Sequence, residues 1–168
     1  MSVKVEVKMT EKAMYGFLLY HNYTHFGGIF SVVIGLVAIV TGVNYLMKGD
    51  ANAGMLALGL GAVVLVYTPL SLKMKAKQQI ATSPMFQQPI GYEMTDEKIL
   101  ITQGDATAET PWSEVMKAVS TPEAILLYTG RLRAIILPKS ELGEQLVDVI
   151  EKISKNMPPA KVKIRTTC

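Results

Sequence analysis

The sequence predicts an α+β membrane protein, built from a two-helix transmembrane hairpin and a small β domain capped by a C-terminal helix. Three observations predict this fold class. Two uncharged apolar runs, 26–47 and 51–72, are long enough to cross a bilayer. Short stretches rich in Ile, Leu and Val, separated by turn residues, follow between 90 and 137. Apolar residues at helical spacing over 142–153 then end the predicted domain.

The two apolar runs predict a tight hairpin. Each is 22 residues long and would span roughly 33 Å as a helix, since each helical residue rises about 1.5 Å. Only Lys48, Gly49 and Asp50 separate them. A cleaved signal peptide is the alternative, because Ala51-Asn52-Ala53 has the small residues of a cleavage site. The first run exceeds the roughly 7–15 apolar residues of a signal peptide, which favours the hairpin.

Basic residues follow the second run directly, at Lys73, Lys75 and Lys77, within a polar connector that spans 73–88. The positive-inside rule places this connector in the cytoplasm, and an even number of spans places the N-terminus there too. The formal net charge of the whole chain is +3, and the tail beyond the connector has no basic excess. The sequence therefore predicts no nucleic-acid partner.

The segment before the hairpin, 1–25, predicts a strand and an amphipathic helix. Residues 3–9 alternate apolar and polar side chains, which is the pattern of a half-buried strand. This strand has no local partner, so we expect it to dock on the tail domain. Thr10 is suited to cap a helix over 11–25, which we expect at the membrane interface.

Small residues recur every three or four positions in both apolar runs, and such stripes let helix backbones approach closely in lipid. They are Gly27, Ser31, Gly35, Ala38 and Gly42 in the first run, and Gly54, Ala57 and Gly61 in the second. The stripes predict packing of the two spans against each other, with homodimerisation as the alternative. Pro69 is expected in the last turn of the second span, where its missing N–H costs least.

The tail predicts one small domain over 89–157, followed by a disordered segment, 158–168. We expect strands at 90–94, 99–102, 107–111, 117–120, 124–128 and 131–137. We expect the domain core to include Trp112, Leu127 and Pro138.

Several segments of the tail are similar to one known family. The likeness is carried by Gly91-Tyr92-Glu93-Met94-Thr95-Asp96-Glu97, Pro111-Trp112-Ser113-Glu114-Val115, Leu127-Tyr128 and Ile135-Ile136-Leu137-Pro138-Lys139, with Tyr20-His21 before the first run. On these residues the chain resembles the YcxB-like family of bacterial membrane proteins. The resemblance implies a pleckstrin-homology-like (PH-like) domain held beneath the bacterial inner membrane, with no established activity. The positive-inside rule gives the expectation that both termini are cytoplasmic. The chain departs from many relatives in having fewer basic residues across this domain, which weakens a strong anionic-lipid-binding role.

The sequence predicts no catalytic, cofactor or metal site, so we expect that the protein is not an enzyme. His21 and His25 have the spacing of metal ligands, but Asn22 stands where a zinc-protease motif needs Glu. Ser113 and Ser140 have no histidine in the tail to act as a base.

The remaining reactive side chains predict no site either. A carboxylate pair is conceivable among the acidic turn residues, but a solvated face is the favoured interpretation; these residues are Glu93, Asp96, Glu97, Glu109 and Glu114. The single cysteine, Cys168, is the last residue and forms no disulfide within the chain. Neither span holds an ionisable side chain, which argues against a pump or proton relay.

Basic residues of the tail suggest contact with the inner leaflet. Arg131 and Arg133 are two apart on a predicted strand, and with Lys139 and the three lysines of the connector they would form one basic face. A strand edge guarded by charge is the alternative.

From these features we expect a non-catalytic, membrane-anchored scaffold or adaptor that presents a PH-like domain at the cytoplasmic face. The alternatives are a regulatory subunit of a membrane enzyme or transporter, and a module that interacts with anionic lipid. The expected partners are membrane lipids together with an unidentified protein or a second copy of the chain.

Overall fold

The computed structural model describes residues 2–24, 26–131 and 133–164. The chain divides into two compact units. Residues 1–17 and 77–168 form the first, which we call the sheet domain. Residues 18–76 form the second, which we call the helical unit. The fold is α+β, with long apolar helices and β sheets, as the sequence predicts.

Three long helices come early in the chain: α1 (Glu11–Thr24), α2 (Phe26–Met47) and α3 (Ala51–Thr82). The Thr10 hydroxyl caps α1 by accepting a hydrogen bond from the Ala13 N–H at 3.2 Å. Asp50 caps α3 in the same way, since its Oδ1 accepts from the Ala53 N–H at 3.1 Å. Both α2 and α3 are long and apolar enough to cross a membrane.

The third helix continues beyond the second apolar run into the polar connector, a continuation that the sequence allows for the first part of the connector. Pro69 lies inside α3, in the last turn of the predicted span but not at the end of the helix. The helix runs on through the basic connector as far as Thr82. Lys, Met, Ala and Gln dominate residues 73–79, and these are strong helix formers that carry the helix past the proline.

The sheet domain contains two four-stranded sheets. Sheet A has the order β1-β2-β3-β4, and sheet B has the order β7-β6-β5-β8. Neighbouring strands are antiparallel except for the parallel pair β5 and β8. The strands are β1 (Val3–Val7), β2 (Ile90–Met94), β3 (Lys98–Gln103), β4 (Ala106–Pro111), β5 (Lys117–Ser120), β6 (Ala124–Tyr128), β7 (Ala134–Pro138) and β8 (Val162–Lys163).

The first strand completes a sheet whose other strands come from after the hairpin. Val5 pairs with Tyr92 and Val7 with Ile90, so β1 lies along the edge of β2. Val5 and Val7 are buried, whereas Glu6 between them points outward and is exposed. The alternation of residues 3–9 therefore fits a strand docked on the tail.

The core of the sheet domain lies between the two sheets and the C-terminal helices, α4 (Lys139–Leu142) and α5 (Leu146–Asn156). Sheet B is also covered on its other face. Phe17 of α1 contacts the ring of Tyr128, with centroids 6.1 Å apart. All five residues of β6 are buried, which accounts for their unbroken apolar sequence.

Two segments differ from the sequence prediction. Residues 131 and 133 precede β7 and are not part of a strand, so the expected strand from 131 is wrong at its start. The segment from 158 is not disordered over 159–164, because β8 pairs in parallel with β5. Two residue pairs set this register, Ala118 with Val162 and Val119 with Lys163. Residues 165–168, including Cys168, lie outside the described residues.

Candidate ligand cavity of the sheet domain

A cavity of about 400 Å³ lies within the sheet domain and is lined in part by residues of β2 and β7. Residues from the start of α1 and the last turns of α3 form two of its walls. A 3₁₀ turn, Pro84–Phe86, forms another. The lining side chains are Met9, Met14, Phe17, Gln79, Thr82, Ser83, Met85, Phe86, Ile90, Tyr92, Arg133, Ala134 and Ile136.

The inner wall of the cavity is apolar and adaptable. Met9, Met14, Ile90 and Ile136 are all buried. Methionine is unbranched and polarisable, so it conforms to ligands of irregular shape. Met85 extends this lining to the protein surface, where it is 53% exposed. The cavity therefore offers a slot for an apolar chain that opens to solvent at one side.

One polar side chain reaches this inner wall. Tyr92 lies on the core face of β2 with Ile90 and is only 5% exposed. Burial raises the pKa of Tyr92 to about 12, so the phenol stays protonated at neutral pH. Among the residues that the structure describes, its hydroxyl has no hydrogen-bond partner. Its donor is therefore available to a ligand.

Arg133 is the one charged side chain among the described lining residues. It is exposed and lies in the loop before β7, where its carbonyl accepts hydrogen bonds from the N–H groups of Thr129 and Gly130. No described carboxylate lies within ion-pair distance of its guanidinium. A guanidinium of this kind suits bidentate pairing with a phosphate or carboxylate.

Elsewhere in the sheet domain, polar contacts hold the β2–β3 turn. The Trp112 indole N–H donates to the Thr95 carbonyl at 3.0 Å. Lys152 of α5, with its side chain only 6% exposed, donates to Asp96 at 2.6 Å, and Lys155 lies 3.6 Å from the same carboxylate. The hydrogen bond and charge of Lys152, followed by the charge of Lys155, lower the pKa of Asp96. Trp112 is buried, as are Leu127 and Pro138.

Residues 95–153 match the family model described as YcxB-like protein. Over this segment the chain is similar to that family. The family resemblance is thus confirmed over the region that begins at the β2–β3 turn and ends within α5. No curated protein matches the chain, and no solved structure matches it either.

Most of the cavity lies outside the YcxB-like segment. Only Arg133, Ala134 and Ile136 of its lining fall within residues 95–153. The remaining lining comes from the chain on both sides of the hairpin. Sequence reasoning includes Arg133 among its basic residues but misses the cavity, because the lining residues are dispersed from 9 to 136 and share no local motif.

The basic residues that the sequence groups into one face lie on several elements of the structure. Lys73 and Lys75 lie on α3 in the helical unit, and Lys77 lies at the boundary of the sheet domain. Arg131 and Arg133 precede β7, whereas Lys139 follows it. Six residues of extended chain cover about 20 Å, so Lys139 lies far from the arginines at the other end of the strand.

The small-residue stripes of α2 and α3 contact each other, and glycines form the closest approaches. A Cβ on Gly42 would lie 3.0 Å from the Gly54 carbonyl oxygen, and one on Gly61 would lie 2.9 Å from the Gly35 oxygen. Gly27 is an exception, because nothing lies within 4 Å of its Cβ position. Its neighbour Gly28 is buried instead. Ser31, Ala38 and Ala57 are half-buried, and the Ser31 hydroxyl donates to the Gly28 carbonyl.

Metal binding finds no support in the part of the chain that the structure describes. No group of three or more His, Cys, Asp or Glu side chains there is placed to hold a metal ion. His21 lies in α1, while His25, its predicted partner at i+4, is outside the described residues.

Proposed function

We propose that the protein is a membrane scaffold that holds a PH-like domain at the cytoplasmic face of the bacterial inner membrane and docks a protein partner there. One observation carries the membrane part of this proposal. Strand β1 precedes the apolar helices and pairs with β2, which follows them. Both ends of the chain must therefore lie on one side of a membrane crossed by α2 and α3.

The burial pattern of the helical unit supports membrane insertion. The buried residues of α2 are Gly28, Gly35 and Gly42. Large apolar side chains face outward, with Phe26 at 83% exposed and Val40 at 68%. A soluble core helix would bury these side chains, whereas lipid is a suitable solvent for them.

The strand order supports the PH-like assignment. Two mostly antiparallel sheets pack around one core, and an amphipathic helix follows the last long strand. The hairpin then lies in the connection between β1 and β2, as an insertion into the domain. In this arrangement two chain segments join the sheet domain to the membrane.

The edges of sheet A support a docking role. At the β1 edge, Gln145 donates a side-chain hydrogen bond to the Lys4 carbonyl at 3.0 Å. Strand β4 forms the opposite edge, and all its residues except Thr110 are exposed. An exposed edge strand presents backbone donors and acceptors that an extended segment of another protein can pair with. We therefore place partner docking at β4.

Cysteine labelling tests the topology. In a Cys168→Ser background, single cysteines at Lys48 in the hairpin loop and at Thr107 in β4 are treated with a membrane-impermeant maleimide on intact spheroplasts. We expect labelling at position 48 before lysis and at position 107 only after lysis. Labelling of both positions before lysis, or of neither, would contradict the two-span arrangement.

Photo-crosslinking in cells tests docking at β4. A photoreactive residue replaces Ala106 or Ala108, and the control position is Asp148 on the exposed face of α5. We expect one stoichiometric protein adduct from β4 and none from position 148. Ala108→Lys should weaken the adduct formed at position 106, because lysine on an edge strand opposes strand addition, whereas Asp148→Lys should not. Equal adducts from both surfaces would contradict docking at β4. A transporter or enzyme subunit as the adduct would identify the protein as its regulatory subunit.

A further inference from the structure

We propose that the cavity of the sheet domain binds an anionic phospholipid, with an acyl chain in the methionine-lined slot and the phosphate paired with Arg133. This inference rests on the proposed membrane location and assigns a ligand to a site separate from the β4 edge. It concerns the thirteen lining residues of the cavity.

The apolar part of the ligand follows from the inner wall. Met9, Met14, Ile90 and Ile136 present buried apolar surface to the cavity. An alkyl chain bound against this surface would gain dispersion contacts with the lining side chains. Its transfer out of water would be favourable as well. Methionines accommodate chains that differ in length or unsaturation, as the acyl chains of a membrane do.

The polar part of the ligand follows from two donors without described partners. Arg133 offers a planar guanidinium at the mouth, and no described carboxylate pairs with it. Tyr92, a buried residue of the lining, offers a neutral donor through its protonated hydroxyl. This combination favours an anion joined to an apolar chain, with the charge at the mouth and an ester oxygen further in.

The position of the cavity along the chain favours a lipid as the source of this ligand. Gln79 lies in α3, seven residues after the end of the apolar run at Leu72. Seven helical residues rise about 10 Å. On the other side, Phe17 precedes the first apolar residue, Phe26, by nine residues. Chain segments this short keep the lining of the cavity within reach of the headgroup layer.

Photolabelling of the full-length protein in lipid nanodiscs tests the inference. The nanodiscs are phosphatidylcholine with a minor fraction of phosphatidylglycerol that carries a diazirine on its acyl chain. We expect one phosphatidylglycerol per chain, cross-linked to lining residues such as Met14 or Met85. Labelling confined to α2 and α3 would overturn the inference, since it would report only the lipid surrounding the proposed spans.

Matched variants separate the cavity from general surface charge. Arg133→Gln should lower labelling of the lining residues about tenfold, because it removes a charge-assisted pair. Arg131→Gln is the control, since Arg131 is exposed in the same loop but does not line the cavity. Tyr92→Phe should lower labelling about threefold, the smaller loss expected for a neutral hydrogen bond. Equal losses for Arg131→Gln and Arg133→Gln would overturn the assignment.

Blocking the slot without changing charge gives an independent test. Ala134→Met adds volume at the cavity wall and should abolish labelling of the lining, provided that the melting temperature stays within a few degrees of that of the parent protein. Ser154→Met, on the exposed face of α5, is the control. Should Ala134→Met unfold the protein, competition with a lysophospholipid decides the point, and failure to compete would overturn the inference.

Competition also distinguishes a lipid from a free phosphate. An anionic lysophospholipid should displace the photolabel, whereas glycerol phosphate at the same concentration should not. Displacement by glycerol phosphate alone would overturn the requirement for an acyl chain. The cysteine-labelling and β4 cross-linking experiments are repeated on Arg133→Gln. If the parent protein shows the expected topology and partner adducts but no lipid labelling of the cavity, this inference is rejected and the scaffold role stands. If Arg133→Gln loses lipid labelling but keeps the topology and the adducts, the two roles are separate.

Discussion

The helical unit and the sheet domain bury opposite kinds of side chain. In α2 the buried residues are glycines, at 28, 35 and 42, and the large aliphatic side chains face outward. In the sheet domain the fully buried side chains are large, such as Ile99, Leu127 and Leu137. Each pattern suits a different surrounding, because water drives large apolar groups inward whereas lipid leaves close backbone packing as the main attraction between helices.

The glycines of the helical unit show how this packing works. Gly28, Gly35 and Gly42 are spaced by seven residues, as are Gly54 and Gly61. A seven-residue repeat keeps one stripe of a helix against its neighbour over several turns. Large side chains of α3 pack into the space left by the missing glycine side chains of α2, with Leu58 against Gly42 and Leu65 against Gly35. Substitutions should therefore have opposite consequences in the two units.

The largest loss of stability is expected in β1, the strand of the sheet domain that comes before the helical unit in the chain. Val7 is buried in β1 opposite Ile90. Val7→Asp places an unpaired carboxylate in the core, which should cost more than about 4 kcal/mol of unfolding free energy. We expect the sheet domain to become protease-sensitive in detergent. The control is Lys8→Asp, the same substitution one residue further at an exposed position.

This pair of variants tests whether the domain includes the segment before the hairpin. If Val7→Asp and Lys8→Asp leave the domain equally resistant to protease, then β1 contributes nothing to its stability. The sheet domain would then be formed by the tail alone, and the placement of both chain ends on one side of the membrane would lose its main support.

The alternation of residues 3–9 is why this strand could be predicted from sequence, since a period of two places every second side chain on one face of a strand. The strands at 90–94, 117–120 and 124–128 have the predicted bounds because each ends at turn residues, Thr95-Asp96, Thr121-Pro122 and Thr129-Gly130. The extent of α3 could not be predicted in this way. Pro69 suggests an end, but strong helix formers on its C-terminal side continue the helix.

The cavity and the ion pair show what sequence patterns leave out. Lys152 lies on α5 among charged residues and has no signal that distinguishes it, yet it is buried against Asp96. In the sequence, Tyr92 stands out only as part of a family-like segment. Its importance arises from burial and from the absence of a described hydrogen-bond partner, which depend on elements distant in sequence. Contacts of this range are set by the fold and not by local spacing.

The next largest difference in stability is expected when the same substitution, Leu to Ala, is made in each unit. Leu127→Ala removes a fully buried side chain from the sheet-domain core and should cost about 2–5 kcal/mol. Leu60→Ala, in α3, removes an outward-facing side chain that is 58% exposed and should change stability by less than about 0.5 kcal/mol. Thermal unfolding in mild detergent measures both. A comparable loss at Leu60 would contradict the lipid-facing assignment of that surface.

The reverse substitution should affect the helical unit. A Cβ on Gly42 would lie 2.7 Å from the Leu58 side chain and 2.9 Å from its backbone nitrogen. Gly59→Ala is the matched control, because nothing lies within 4 Å of its Cβ position. Both variants gain about 1 kcal/mol of helix propensity, but Gly42→Ala should be less stable than Gly59→Ala by about 2 kcal/mol through overpacking. Equal melting temperatures in detergent would show that the helices pack through another face.

The smallest effect concerns the ion pair between Lys152 and Asp96, which ties α5 to the β2–β3 turn, and it depends on pH. Lys152 and Lys155 lower the pKa of Asp96 below its ordinary value of 3.8. A carboxyl whose pKa is lower in the folded state stabilises the fold above the unfolded-state pKa, and that contribution is lost as pH falls through the folded-state value. Asp96→Asn should therefore lower the melting temperature at neutral pH.

The difference between Asp96→Asn and the parent protein should shrink as pH falls below the ordinary value of 3.8, because the unfolded carboxyl then takes up a proton while the folded carboxyl, with its lowered pKa, still holds its charge. Glu97→Gln removes the same charge from the adjacent, exposed residue and serves as the control; it should leave the melting temperature nearly unchanged at neutral pH. Lys152 is buried while Asp96 is half-exposed, so loss of the carboxylate leaves a buried ammonium without its 2.6 Å partner. A pH-independent difference would mean that Asp96 acts through packing, and the contrast between a sheet domain held by an ion pair and helices packed through glycines would no longer hold.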